Sequence, residues 1–93
     1  MNKRYYYVRL SFIRNDKSTL VYSECTVDVD NEDTPFLPLM AIIRWAMEKF
    51  KDIAITETIQ VCSYIEINEQ DYREFIELRN SQGWNLNSIT LKQ

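Results

Sequence analysis

The chain contains no histidine among its 93 residues. That absence removes the most common general base, so neither a Ser–His nor a Cys–His nucleophile pair can be assembled within it. With only two cysteines, Cys25 and Cys62, a Cys/His zinc site cannot be closed either. Two thiols are also too few for a disulfide framework in a chain with this much core material. Glycine occurs once, at Gly83, and proline twice, at Pro35 and Pro38. A glycine-rich loop that cradles phosphate is therefore excluded, and most of the chain is expected in regular elements.

Long apolar runs are missing as well. The longest apolar-rich stretch, Phe36 to Met47, is interrupted by Arg44 and falls far short of the roughly 20 residues that a membrane-spanning helix needs. Lys3 and Arg4 mimic the basic start of a signal peptide, but Arg9 and Arg14 break the apolar run behind them and no small-residue cleavage site follows. A cytoplasmic protein with no membrane association is expected. There is no excess of basic charge: the formal net charge is −3, which disfavours DNA, RNA and anionic membranes as partners, because phosphate contacts need a basic stripe.

What the chain does have is 45% apolar residues, which excludes a disordered polyelectrolyte and suffices for one domain spanning residues 1–93. It opens with KRYYYVRLSFIR. Residues 3–14 alternate: Tyr6, Val8, Leu10 and Phe12 point one way, and Tyr5, Tyr7, Arg9, Ser11 and Ile13 the other. After the turn-rich Asn15 to Ser18, residues 19–29 alternate again. Placing Asp16-Lys17 at the tip of a hairpin makes partner numbers sum to 33. Phe12 then faces Val21, Val8 faces Cys25 and Tyr6 faces Val27, so the apolar faces coincide. On the opposite face Arg9 falls across from Glu24, and Lys3 across from Asp30, as charge pairing favours. Any longer loop of the same parity preserves these faces.

The period then changes. Thr34 suits an N-cap with Pro35 behind it. Phe36, Met40, Ile43, Met47 and Phe50, widened by Leu39 and Ala46, form the expected buried stripe of a helix ending near Lys51. Residues 58–67 alternate as a third strand with Ile59, Val61, Ser63, Ile65 and Ile67 on its apolar face; Ile53 and Ile55 fit an extension of it. Asn68 caps a second helix, with Asp71 three residues on and a buried stripe of Tyr72, Phe75, Ile76 and Arg79 that ends before Gly83. Trp84 to Lys92 reads as a closing strand whose alternation slips near Asn87-Ser88. The order is β-β-α-β-α-β. The expected fold is α+β: a two-layer sandwich with a four-stranded, mostly antiparallel sheet and both helices packed on one face.

Two surfaces stand out. Tyr5, Tyr7, Tyr22 and Tyr64 are expected on the sheet face turned away from the helices, with Arg9 among them. Aromatic rings interleaved with arginine can stack nucleic-acid bases, but Glu24, Asp28 and Glu66 share that face and repel phosphate. A protein-binding face suits tyrosine better. The first helix carries a second stripe of Pro38, Ala41, Ile42 and Trp45, roughly opposite the main one, which is expected to be free for a partner or a second copy of the chain. The acidic run Asp28, Asp30, Glu32 and Asp33 has the wrong residues for a calcium loop and reads as a solvated strand end. Cys25 belongs to the core, and Cys62 to the outer face.

These features lead to a small non-enzymatic interaction module that binds a protein partner or itself, without cofactor, metal or small-molecule substrate. The alternatives are a nucleic-acid-associated protein using the aromatic face, or a phage or mobile-element inhibitor. No residue pattern selects the last of these.

Overall fold

The hairpin register expected from alternation is the register of the fold. The computed structural model describes residues 3–16, 18–30, 37–82 and 87–92. In it β1 (Arg4–Arg14) and β2 (Leu20–Asp30) run antiparallel, with Tyr6 opposite Val27, Val8 opposite Cys25 and Phe12 opposite Val21. The loop is longer than a two-residue tip. Arg14 N donates to Thr19 O at 2.8 Å, and Ser18 N to Arg14 O at 3.1 Å. Ser18 closes the loop with a φ of 51°, a left-handed conformation that disfavours residues with a Cβ. Parity survives, so the faces do too.

The remaining elements are α1 (Leu39–Lys49), β3 (Ala54–Ile67), α2 (Glu69–Gln82) and β4 (Asn87–Lys92). The strands form one sheet in the order β3-β1-β2-β4, antiparallel except for the parallel pair β2–β4. The α+β class, the element order and the four-stranded, mostly antiparallel sheet are thus as the sequence indicates.

The placement of the helices is not. Tyr6, Val8, Leu10, Phe12, Cys25, Val27 and Val29 form a core with Leu37, Ile42 and Ala46, so α1 covers that face. On the other face Tyr72 of α2 lies against Tyr5, with ring centroids 4.6 Å apart, and Phe75 stacks on Tyr7 at 4.9 Å. The two helices therefore flank opposite faces of the sheet instead of sharing one. The reason lies in the apolar character of the second face near the start of β1. Tyr5 and Tyr7 there are joined by Ile65 and Ile67 of β3, which supplies the surface a second amphipathic helix needs.

Ile65 and Ile67 reach that face through a bulge. Arg9 pairs with Ser63 but Leu10 pairs with Val61, so Cys62 is one residue too many. Ile59 and Val61 keep their places on the α1 face. Beyond the bulge parity reverses: Ile65 and Ile67 turn toward α2, and Tyr64 and Glu66 toward the α1 face, where Tyr64 makes an edge contact with Tyr6 at 6.3 Å. The single apolar face expected for this strand is thus divided between the two sides of the sheet. A second irregularity lies between Ser11 and Ile13. There Thr58 Oγ1 accepts a hydrogen bond from Ile13 N at 2.9 Å and donates one to Ile55 O at 2.6 Å, replacing lost ladder partners.

Helix α1 also differs from expectation. It begins after Pro38, which has no side-chain cap. A residue preceding proline avoids the helical region, so Leu37 stays outside the helix and is buried. The expected cap at Thr34 and Pro35, and Phe36, lie outside the described residues, as do Gly83 and Trp84. In α2 the expected cap is present: Asn68 Oδ1 accepts from Asp71 N at 2.7 Å.

Candidate functional site

The stripe on α1 that was expected to be free is largely turned inward. Ile42 of that stripe is fully buried beside Ala46, which was expected in the core, and Trp45 packs against the core and edge-on to Phe50 at 6.1 Å. Pro38 and Ala41 are half-buried at its border. Instead Leu39, Met40 and Met47 are exposed. Both sides of this helix are apolar, so periodicity alone does not choose between them. Ile42 beside the small Ala46 lets the helix approach the sheet closely, and the flexible methionines are left outside.

The four tyrosines do not form one platform either. Tyr5 and Tyr7 are half-buried beneath α2, Tyr64 lies on the opposite side of the sheet, and only Tyr22 remains exposed on the original face. Arg9 stands opposite Glu24 in the ladder but places its guanidinium 4.1 Å from the centroid of the Tyr22 ring. Glu24 instead accepts a short hydrogen bond from the Tyr7 hydroxyl. Burial, and then that bond, push the Tyr7 phenol up to about 12.

A buried carboxylate fixes α2 in place. Asp28 is not part of a solvated strand end; it is only 4% exposed. Its Oδ1 accepts from Tyr72 OH at 3.0 Å and from Thr90 Oγ1 at 2.9 Å, and its Oδ2 from Lys3 Nζ at 3.3 Å. One side chain of β2 thereby joins β4, α2 and the residue that precedes β1. Lys3 thus meets Asp28; the Asp30 side chain expected across from it, with Glu32 and Asp33 of the acidic run, lies outside the described residues. Burial, chiefly, raises the Tyr72 phenol above its ordinary value. The thiol of Cys25, deep in the core, is pushed up to about 12 by burial alone and is accordingly inert. Cys62 is exposed at its bulge, and its Sγ donates to Ser11 Oγ at 3.1 Å.

Held by these contacts, α2 lies above β1 and leaves β3 open. Among the described residues β3 is an edge strand, paired with β1 on one side. A groove of about 490 Å³ runs between it and the flank of α2. Ile65, Ile67, Phe75 and Leu78 form its apolar floor, with Asp71 and Glu74 at the rim. Ile65 is 61% exposed, the highest value among the exposed large apolar side chains of the described residues. The acidic flank continues past Leu78 to Glu77 and Ser81. A second depression, of about 530 Å³, lies at the start of α2 among Lys3, Arg4, Glu66 and Glu69. Its charges are matched internally: Arg4 Nη2 meets Glu66 Oε1 at 2.7 Å, which holds the Glu66 carboxyl below its usual range.

Sequence reasoning missed the groove because it assigned Ile65 to the core. A signal was present: Ser63, a small polar residue at a supposedly buried position next to Cys62, marks the point where the alternation slips. Among the described residues no group of three His, Cys, Asp or Glu side chains is placed to hold a metal ion, and no helix is long and apolar enough to cross a membrane. No family model matches the chain, and neither a curated protein nor a solved structure matches it.

Proposed function

We propose that the chain is a small non-enzymatic interaction module that binds another protein at the open edge of β3 and the groove beside it. The observation that carries this reading is Ile65. A large aliphatic side chain, 61% exposed, sits on an edge strand and lines the groove with Ile67, Phe75 and Leu78. Folded proteins usually cover or charge such an edge, because it is a ready template for pairing. Tyr64, 47% exposed on the other side of the same strand, adds a residue type favoured at interfaces. The free thiols of Cys25 and Cys62 accord with a reducing compartment, and we place the module in the cytoplasm.

The aromatic nucleic-acid reading keeps little support. Tyr5 and Tyr7 are covered by Tyr72 and Phe75, which leaves Tyr22, beside Arg9, as the exposed one of the tyrosines that remain on that face.

The test is site-specific photo-crosslinking in cells that express the protein naturally. A photoreactive residue replaces Ile65 in one variant and Arg44, on the exposed side of α1, in another. The proposal expects one discrete adduct from position 65 and none from position 44. Equal labelling at both positions, or none at 65, contradicts it.

A further inference from the structure

The chemistry of the β3 edge narrows what it can receive. Beyond the bulge, Ser63 to Ile67 pairs with β1 in unbroken register, about 16 Å of regular strand. The outer hydrogen-bonding groups of that stretch have no strand beside them among the described residues. An extended peptide satisfies them by adding a strand, and alternate side chains of that peptide then lie on the α2 side, over the groove. β3 carries no lysine or arginine over its whole length, but it does carry Glu57 and Glu66. Asp71, Glu74 and Glu77 on the adjoining flank of α2 form no ion pair with any described residue. Arg73, the nearest cation in sequence, is paired with Glu69 at 2.9 Å.

We propose that the free edge of β3 at Ser63–Ile67 takes up an extended, basic peptide segment as an added strand. Its groove-side positions i, i+2 and i+4 carry a large apolar residue between two basic ones. The central side chain contacts Ile65 and Leu78. The aliphatic stems of the flanking residues lie along the apolar floor, and their charged heads reach Asp71 and Glu74. The acidic rim decides against a second copy of this chain as the occupant. Edge-to-edge pairing of two β3 strands brings no cation to either rim and sets two acidic flanks side by side. This inference rests on the reading of the groove as a protein-binding surface and specifies what binds there.

The test uses the full chain and a labelled seven-residue probe, Thr-Arg-Thr-Leu-Thr-Arg-Thr, followed by fluorescence anisotropy at two salt concentrations. Binding that weakens as salt rises is expected, together with slowed amide exchange at Ser63–Ile67. A probe with glutamate in place of arginine is expected to bind at least about tenfold more weakly. So is one with proline in place of the two central threonines, since each lost hydrogen bond and ion pair contributes on the order of a kcal/mol. Ile65→Lys and Glu74→Lys, both at exposed positions, are expected to reduce affinity for the original probe to a similar degree. Equal binding of the proline probe overturns strand addition. Equal binding of the glutamate probe overturns the role of the rim. No binding of any probe, or a dimer in which Ser63–Ile67 is already protected without peptide, overturns the inference as a whole. If crosslinking at position 65 succeeds while the probe fails, the interaction module stands and only the strand-addition account falls.

Discussion

The Tyr72 hydroxyl donates a hydrogen bond to the buried carboxylate of Asp28 at 3.0 Å, across the sheet face that sequence alternation leaves uncovered. This contact, with Tyr72 against Tyr5 and Phe75 on Tyr7, decides where α2 sits and therefore which part of β3 stays open. Tyr72→Phe keeps the ring and removes the donor. It is expected to destabilise the fold by about 1.5–3 kcal/mol, the range for hydrogen bonds to charged groups, and to speed amide exchange in α2 more than in β1. Urea unfolding and exchange measurements check both. A variant as stable as the wild type shows that Asp28 does not hold the helix.

The orientation of α1 is tested by a pair of truncations. Ile42 is fully buried and Met40 is 58% exposed. Ile42→Ala is expected to cost about 2–5 kcal/mol, and Met40→Ala less than about 0.5 kcal/mol. The reverse order in chemical denaturation places the other side of the helix against the sheet.

These two helices show what was legible in the sequence. The β1–β2 register was readable because two alternating segments with complementary apolar faces admit few pairings, and Tyr6, Val8 and Phe12 all found their expected partners. The cap at Asn68 was readable because it is local chemistry. The face of α1 was not, because Met40, Ile43 and Met47 are as periodic as Ala41, Ile42 and Trp45; packing against the sheet takes in Ile43 with Ile42 and Trp45 and leaves the two methionines exposed. The bulge at Cys62 hid the site itself. One extra residue reverses the parity of everything after it, so Ile65 was counted in the core and Tyr64 on the wrong face.

Ser18 adopts a φ of 51° in the hairpin loop. Glycine takes that conformation without a Cβ clash. Ser18→Gly is expected to raise stability by about 0.5–1 kcal/mol, read as a higher urea midpoint with an unchanged slope. A lower midpoint contradicts the assignment of strain to this residue.

Alkaline stability follows from one buried and one half-buried acid. The Cys25 thiol, which ordinarily titrates near 9.0, is pushed up to about 12, and the Tyr7 phenol moves from near 10.0 to about 12. Both folded values lie above the unfolded ones, so the folded state holds its protons longer. The associated stability is complete below pH 9 and is lost as pH rises from about 9 toward 12. Unfolding free energy is expected to fall across that window, and Cys25→Ala to flatten the part that begins near pH 9. A decline of unchanged shape in that variant assigns the effect elsewhere.

Arg9 and Tyr22 form an exposed cation–aromatic pair on the former tyrosine face. With Tyr5 and Tyr7 covered, titration of single-stranded oligonucleotide at low salt is expected to leave tyrosine fluorescence unchanged. Quenching that disappears in Tyr22→Ala restores the nucleic-acid reading, because phosphate attraction is strongest under those conditions.

The central claim, that the β3 edge and its groove receive a protein, is tested most directly by comparing two charge substitutions at exposed apolar positions. Ile65→Lys and Met40→Lys each place an ammonium on the surface, one on the edge strand and one on α1. Crosslinked, purified partner complex is measured for each against the wild type at equal protein level. The account predicts loss of the complex in Ile65→Lys and its retention in Met40→Lys. Retention in Ile65→Lys with loss in Met40→Lys contradicts it and moves the binding surface to the first helix.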